Sequence, residues 1–162
     1  MLDMKICVVP GSFDPFTIGH LDIVERASKM FDKVYVAIMV NSNKTGTFDL
    51  ATRKKIAEVS CGDLPNVTVI TAEGLLVDLC SALGAIAIVK GVRNVNDYTY
   101  EADLADINRH LAPVETVWLP ARPSLSFISS TFVRELIKYE RSLDGALHPD
   151  ALHIIEAAFI KK

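Results

Sequence analysis

The feature that constrains this chain most is an alternation of short, β-branched apolar runs with longer amphipathic ones. The short runs fall at 5–9, 34–40, 67–71, 85–89 and 116–119, and several are apolar on consecutive residues rather than on every second one. That pattern suits parallel strands covered on both faces. Between and after them lie helical patterns at 19–31, 50–61, 75–83, 97–111, 130–139 and 149–160. In the first, Leu21, Val24, Ala27, Ser28 and Phe31 recur at steps of three and four. Repeated strand–helix alternation predicts an α/β fold, a doubly wound five-stranded parallel sheet. Ligands of such sheets sit beyond the carboxyl ends of the strands, where the strand order reverses. Functional residues are therefore expected just after strands.

No linker, repeat or low-complexity tract interrupts the pattern, and 162 residues suit one domain spanning 1–162. The 17 Lys+Arg against 20 Asp+Glu give a net charge of −3, not the basic footprint of a nucleic-acid binder. A local cluster of cations for one small anion remains compatible with that balance. Cys7, Cys61 and Cys80 are odd in number and widely spaced, which suggests a reducing compartment and neither a disulfide framework nor a zinc site. The opening Met1-Leu2-Asp3-Met4-Lys5 lacks the basic and apolar regions of a secretory leader. The longest nearly apolar stretch, 74–89, is cut by Asp78 and Ser81 and falls short of the roughly 20 residues of a spanning helix. A cytoplasmic chain with no membrane partner is expected, and the formal sequons at Asn43 and Asn66 carry no meaning.

The first run leads into Pro10-Gly11-Ser12-Phe13-Asp14-Pro15-Phe16-Thr17-Ile18-Gly19-His20 and then a helix. Pro10-Gly11 reads as a sharp turn, and Gly19 as a place of close backbone approach. A helix N-terminus carries free N–H groups and about half a positive charge, a natural phosphate seat to which His20 adds a donor. A plain turn and cap with a packed histidine is the alternative. Neither G-x-x-x-x-G-K-[ST] nor G-x-G-x-x-G is present, which argues against a P-loop nucleotidase and a dinucleotide binder.

The run from Gly11 to His20 resembles the first signature of the nucleotidyltransferase superfamily, whose T/H-x-G-H element is shared with class I aminoacyl-tRNA synthetases. A second signature is Ile128-Ser129-Ser130-Thr131-x-Val133-Arg134, with Lys44, Lys90-Gly91-Val92-Arg93, Asp97 to Glu101 and Asn108 to Leu111 between them. Their order and spacing are similar to one family in particular, the bacterial phosphopantetheine adenylyltransferases, over essentially the whole chain. The resemblance implies a Rossmann-like nucleotidyltransferase fold and transfer of the adenylyl group of ATP to 4′-phosphopantetheine, giving dephospho-coenzyme A and pyrophosphate. It also implies a homohexamer and possible feedback by coenzyme A.

The resemblance carries roles residue by residue. His20, Lys44 and Arg93 are the candidate catalytic residues. Ser12, Phe13, His20, Gly91, Val92, Arg93 and Glu101 match ATP contacts, as do Leu125, Ser126, Phe127, Ile128, Ser129, Ser130 and Thr131. Ser12, Lys44, Leu76 and Lys90 match contacts to the acceptor. Lys90 stands where the family often has Arg, replacing a bidentate fork by a point charge. Each has a plainer alternative: a solvated loop for Lys44, surface cations for Lys90 and Arg93, a helix-surface acid for Glu101, an N-cap for Ser130 and Thr131. Lys44, Lys90 and Arg93 are nevertheless expected on the same sheet edge as Ser12 and His20. No residue set has metal spacing, so Mg²⁺ is expected on the ATP phosphates without a protein cage. Rival readings are a nucleotidyltransferase of nicotinamide mononucleotide or cytidylyl type, a non-catalytic nucleotide-binding module, and a tRNA-synthetase fragment.

Overall fold

The apolar runs become strands because both of their faces are covered. A computed structural model describes residues 3–160; Met1 and Leu2, which open the segment read above against a leader, lie outside the described residues. The elements are β1 (Ile6–Gly11), α1 (Ile18–Ser28), β2 (Lys33–Met39), α2 (Leu50–Ser60), β3 (Val67–Ala72), α3 (Leu76–Leu83), β4 (Ala87–Val92), α4 (Val95–Leu111), β5 (Glu115–Pro120), α5 (Ser130–Lys138) and α6 (Pro149–Ile160). The five strands are parallel and ordered β3-β2-β1-β4-β5, the doubly wound sheet that the alternation predicts.

Alternate strand residues enter two different cores. Cys7, Val9, Val34, Val36, Ala87 and Val89 join one apolar cluster, together with Val24, Ile56, Val133 and Ile155 from α1, α2, α5 and α6. Val8, Ala37 and Ile88 point the other way and pack with Val77 and Cys80 of α3. A strand buried on both faces has no polar side to alternate with, hence the continuous apolar runs.

Register opens the sheet at one place. β1 pairs with β2 along its full length, from Ile6↔Lys33 to Gly11↔Ile38. It pairs with β4 only at Cys7↔Ala87 and Val8↔Ile88. Pro10 has no N–H with which to extend that ladder. The carboxyl ends of β1 and β4 therefore part at the point where strand order reverses, where a crevice belongs.

Several boundaries shift by a few residues from the sequence reading, and two of the shifts move site residues. β1 continues through Pro10 and Gly11, paired with Ala37 and Ile38, so the chain turns after them and not at them. β4 runs to Val92, held by Lys90↔Trp118, Gly91↔Leu119 and Val92↔Pro120, so Lys90, Gly91 and Val92 end the strand instead of following it. In each case ladder pairing with a neighbour outweighs the weak strand preference of glycine and proline. Among the described residues no helix is long and apolar enough to cross a membrane. Cys7, Cys61 and Cys80 are free and buried.

Candidate active site

A cleft of about 540 Å³ opens where β1 and β4 diverge, roofed by α4 and by the segment between β5 and α5. From the β1 side, Ser12, Phe13 and His20 line it; from β4 and α4 come Lys90, Gly91, Arg93 and Glu101. Leu125, Ile128, Ser129, Ser130 and Thr131 close the far wall. The two sequence signatures, more than a hundred residues apart in the chain, thus face one space.

His20 is fixed by its own helix start. Thr17 caps α1, and its backbone N–H donates to His20 Nδ1 at 2.9 Å, while His20 N–H donates to Thr17 Oγ1 at 3.3 Å. This is a capping box in which histidine replaces the usual acid or amide. An amide N–H can only donate, so Nδ1 offers its lone pair and the ring proton of the neutral imidazole resides on Nε2. Phe13 meets the ring edge-on at 5.0 Å and Phe16 lies tilted against it at 5.4 Å, which locks its plane. Burial, helped by the Arg93 and Lys90 cations, pushes the imidazole down from 6.5 to about 4. At neutral pH the group is an uncharged, oriented N–H donor.

Gly19 is required by proximity. A Cβ there would lie 2.9 Å from the carbonyl oxygen of Ile128. The absence of a side chain lets the 125–128 segment rest against the start of α1, bringing the second signature up to His20. Ser129 caps α5 by accepting from Phe132 N–H at 3.0 Å, and Ser130 donates its hydroxyl proton to Pro15 O at 2.8 Å. The plain cap read from the sequence therefore falls one residue earlier than Ser130 and Thr131. Ser129, Ser130 and Thr131 line the cleft, so α5 begins at its wall, where a helix start can seat anionic oxygen.

The cleft cations are tethered. Lys90 Nζ lies 3.1 Å from Glu101 Oε1, and Arg93 Nε lies 2.9 Å from Asp97 Oδ2. The Arg93 side-chain bonds, its backbone N–H bond and its charge hold the Asp97 carboxyl below the usual range against the opposing effect of burial. Arg134 Nη1 donates to Asp14 O at 2.8 Å, and Arg53 Nη1 to Ser12 O at 2.9 Å, so guanidinium groups brace the 11–20 loop. Asp14 itself accepts the Thr47 and Phe48 amides at 2.8 and 2.9 Å, tying that loop to the one that carries Lys44. Every carboxylate of the cleft wall, on Asp14, Asp22, Asp97 and Glu101, is engaged by a cation or by amides.

Five sequence-predicted residues are not brought to the cleft wall: Lys44, Leu76, Val92, Ser126 and Phe127. Lys44 is exposed in the loop after β2. Leu76 packs against the second core on the opposite face of the sheet, because it opens α3, the helix that covers that face. Sequence reasoning overlooked Asp14, Asp22, Arg122 and Arg134 as site-building residues. Asp14 and Arg134 stand inside the two signatures and could have been found there; Asp22 and Arg122 left no local signal, since their pairing spans 100 positions.

Residues 8–136 match the family described as cytidylyltransferase-like. A phosphopantetheine adenylyltransferase of Nocardioides sp. is 48% identical over 153 residues, covering 93% of this chain and 94% of its own. One from Staphylococcus carnosus is 44% identical over 137 residues, with 84% and 85% covered. A third, from Staphylococcus haemolyticus, is 41% identical over 155 residues, with 95% and 96% covered. A crystal structure from Vibrio parahaemolyticus, provisionally assigned as a nicotinate-nucleotide adenylyltransferase, superposes with a TM-score of 0.74. It covers 96% of this chain and 93% of its own at 18% identity, a likeness of fold.

Proposed function

The chain belongs to the phosphopantetheine adenylyltransferases within the cytidylyltransferase-like proteins, and we propose that its cleft joins ATP to 4′-phosphopantetheine by direct in-line displacement on a single domain. The acceptor phosphate oxygen forms a bond to the α-phosphorus as the bond to the pyrophosphate oxygen breaks. Dephospho-coenzyme A and pyrophosphate are the products. A phosphate monoester has its second pKa near 6 and is already an anionic nucleophile, so no general base is needed. The work is to hold two polyanions in line and to stabilise charge on the α-phosphate.

The observation that carries this reading is the neutral, pinned imidazole of His20, whose Nε2–H is the free donor at the divergence of β1 and β4. A fixed donor that meets the developing charge without reorganising contributes chiefly to the transition state. Arg93, Lys90 and Ser12 are its neighbours for the phosphates, and the start of α5 with Ser129 to Thr131 offers amides to the triphosphate. Glu101, facing Lys90, stands beside the nucleotide. Lys44 grips the acceptor phosphate from its exposed loop.

The cleft acids are all engaged, which fits Mg²⁺ held by the ATP phosphates and water better than by a protein cage. Bound in that way, the ion would offset charge on the leaving pyrophosphate. Among the described residues no three His, Cys, Asp or Glu side chains gather as a metal set.

A homohexamer is the proposed assembly, and exposed Val95, Tyr98, Ile107 and Leu111 on α4 support an oligomeric contact. Coenzyme A contains both halves of the product and is proposed to compete for the same cleft. A cytoplasmic location agrees with three free, buried thiols. Incubation with ATP, Mg²⁺ and 4′-phosphopantetheine, following dephospho-coenzyme A by mass, tests the reaction. Faster turnover of nicotinamide mononucleotide or of a cytidylyl donor in the same panel would overturn it.

A further inference from the structure

Asp22 is one of three buried polar residues among the described residues, and the reaction above makes no use of it. Its carboxylate lines a cleft proposed to take a polyanion, where an unpaired negative charge would oppose binding. Both of its oxygens are engaged. Oδ1 accepts from Arg122 Nε, and Oδ2 accepts from Arg26 Nη1 at 3.1 Å. Arg26 Nη1 also donates to the carbonyl of Pro120 at 2.9 Å. One α1 carboxylate therefore grips the end of β5 through Arg26 and the first residues beyond it through Arg122. The same segment, a few residues on, rests its Leu125 and Ile128 carbonyls against Gly19.

We propose that Asp22 is a positioning residue that sets the 121–128 segment, and with it the start of α5, at the distance from His20 that ATP requires. The inference rests on the functional reading in placing ATP against that segment. The two attachments differ in kind. Contact at Gly19 fixes how near the segment comes, whereas the Asp22 pairs fix its slide along α1. Without the carboxylate, two neighbouring guanidinium groups lose their shared acceptor and repel each other, and the segment keeps the Arg26 bond to Pro120 but loses its hold against sliding along α1. Arg122 is largely exposed, and among the described residues its side chain has no other partner to hold it.

The test is ATP affinity, measured by calorimetry without acceptor, beside the KM of each substrate and kcat, for wild type, Asp22→Asn, Arg122→Ala and the double variant. Asparagine keeps one acceptor but turns an NH₂ toward the second arginine. Each single variant should weaken ATP binding roughly tenfold, the effect of losing one charge-assisted bond in a partly solvated site. KM for 4′-phosphopantetheine should stay within about twofold. The double variant should match the worse single one, and Arg122→Lys should recover part of the loss. Additive losses, equal losses for both substrates, or a neutral Asp22→Asn beside a damaging Arg122→Ala would overturn the proposal. Should Asp22→Asn fail to fold, unchanged ATP affinity in the exposed-site variant Arg122→Ala overturns it alone. A wild-type chain that binds ATP but adenylylates another acceptor refutes the functional reading and leaves this inference to the binding data.

Discussion

The imidazole of His20 gives the sharpest quantitative expectation. Its native value of about 4 lies below the ordinary 6.5 because burial and two nearby cations disfavour the charged form. The unfolded chain therefore takes up this proton first as pH falls. The contribution to stability is fully present above about 6.5 and lost as pH drops toward 4. At about 1.4 kcal/mol per pH unit, the displacement amounts to about 3 kcal/mol across that window. His20→Ala removes this linkage but also leaves the Thr17 N–H without its Nδ1 acceptor, a cap loss of about 0.5–2 kcal/mol at neutral pH. Urea unfolding of both proteins at pH 7 and at pH 4 tests the two effects together, because all other titrating groups cancel in the comparison. The stability advantage of wild type should be positive at pH 7 and smaller by about 3 kcal/mol at pH 4. Ring nitrogen chemical shifts should give an Nε2–H tautomer throughout the neutral range. A constant advantage across pH, or a ring that titrates near 6.5, would refute the claim that His20 acts as a neutral donor.

Other expectations concern rate, acceptor and packing. His20→Ala should lower kcat by about a hundred- to a thousandfold with little change in either KM, the effect of removing one transition-state donor; steady-state kinetics with both substrates varied decide it. Lys44→Ala should weaken acceptor binding by about 1.5–3 kcal/mol and spare ATP, and equal losses for both would remove Lys44 from its role. Gly19→Ala places a methyl 2.9 Å from a backbone oxygen. Overpacking of about 1–3 kcal/mol should exceed the gain in helix propensity of at most about 1 kcal/mol, lowering Tm and weakening ATP binding.

The strand–helix alternation was legible because both faces of the sheet are covered, so the runs stand out without any long-range information. Pro10, Gly11 and Gly91 misled in one direction only. Read locally they end strands, but their partners Ala37, Ile38 and Leu119 keep the ladder going, and pairing between distant segments leaves no local mark. Most of the cleft wall was likewise legible, since its residues stand in two contiguous signatures. Leu76 opens α3 directly after β3, and its side chain packs on the other face of the sheet; a position in the chain does not tell which face a helix start presents. Asp22 was hidden for another reason. On α1 it continues the helix pattern and looks like any surface acid, and its meaning appears only when Arg122, 100 residues later, arrives beside it.

The same pairing accounts for an acidic chain that is read as binding two polyanions. A net charge of −3 supplies no long-range attraction, and Lys90, Arg93 and Arg122 are each matched by a carboxylate within the cleft wall. Such pairs cancel much of the field felt at a distance while holding each cation in one geometry. Oriented groups that need no rearrangement stabilise charge more effectively at close range than mobile cations do. A site of this kind gains little from steering and much from fixed direction, which also explains a neutral histidine at its centre. A charged imidazole beside Arg93 and Lys90 would have to overcome their repulsion, whereas the Nε2–H of the neutral ring is able to donate without adding charge to a crowded corner.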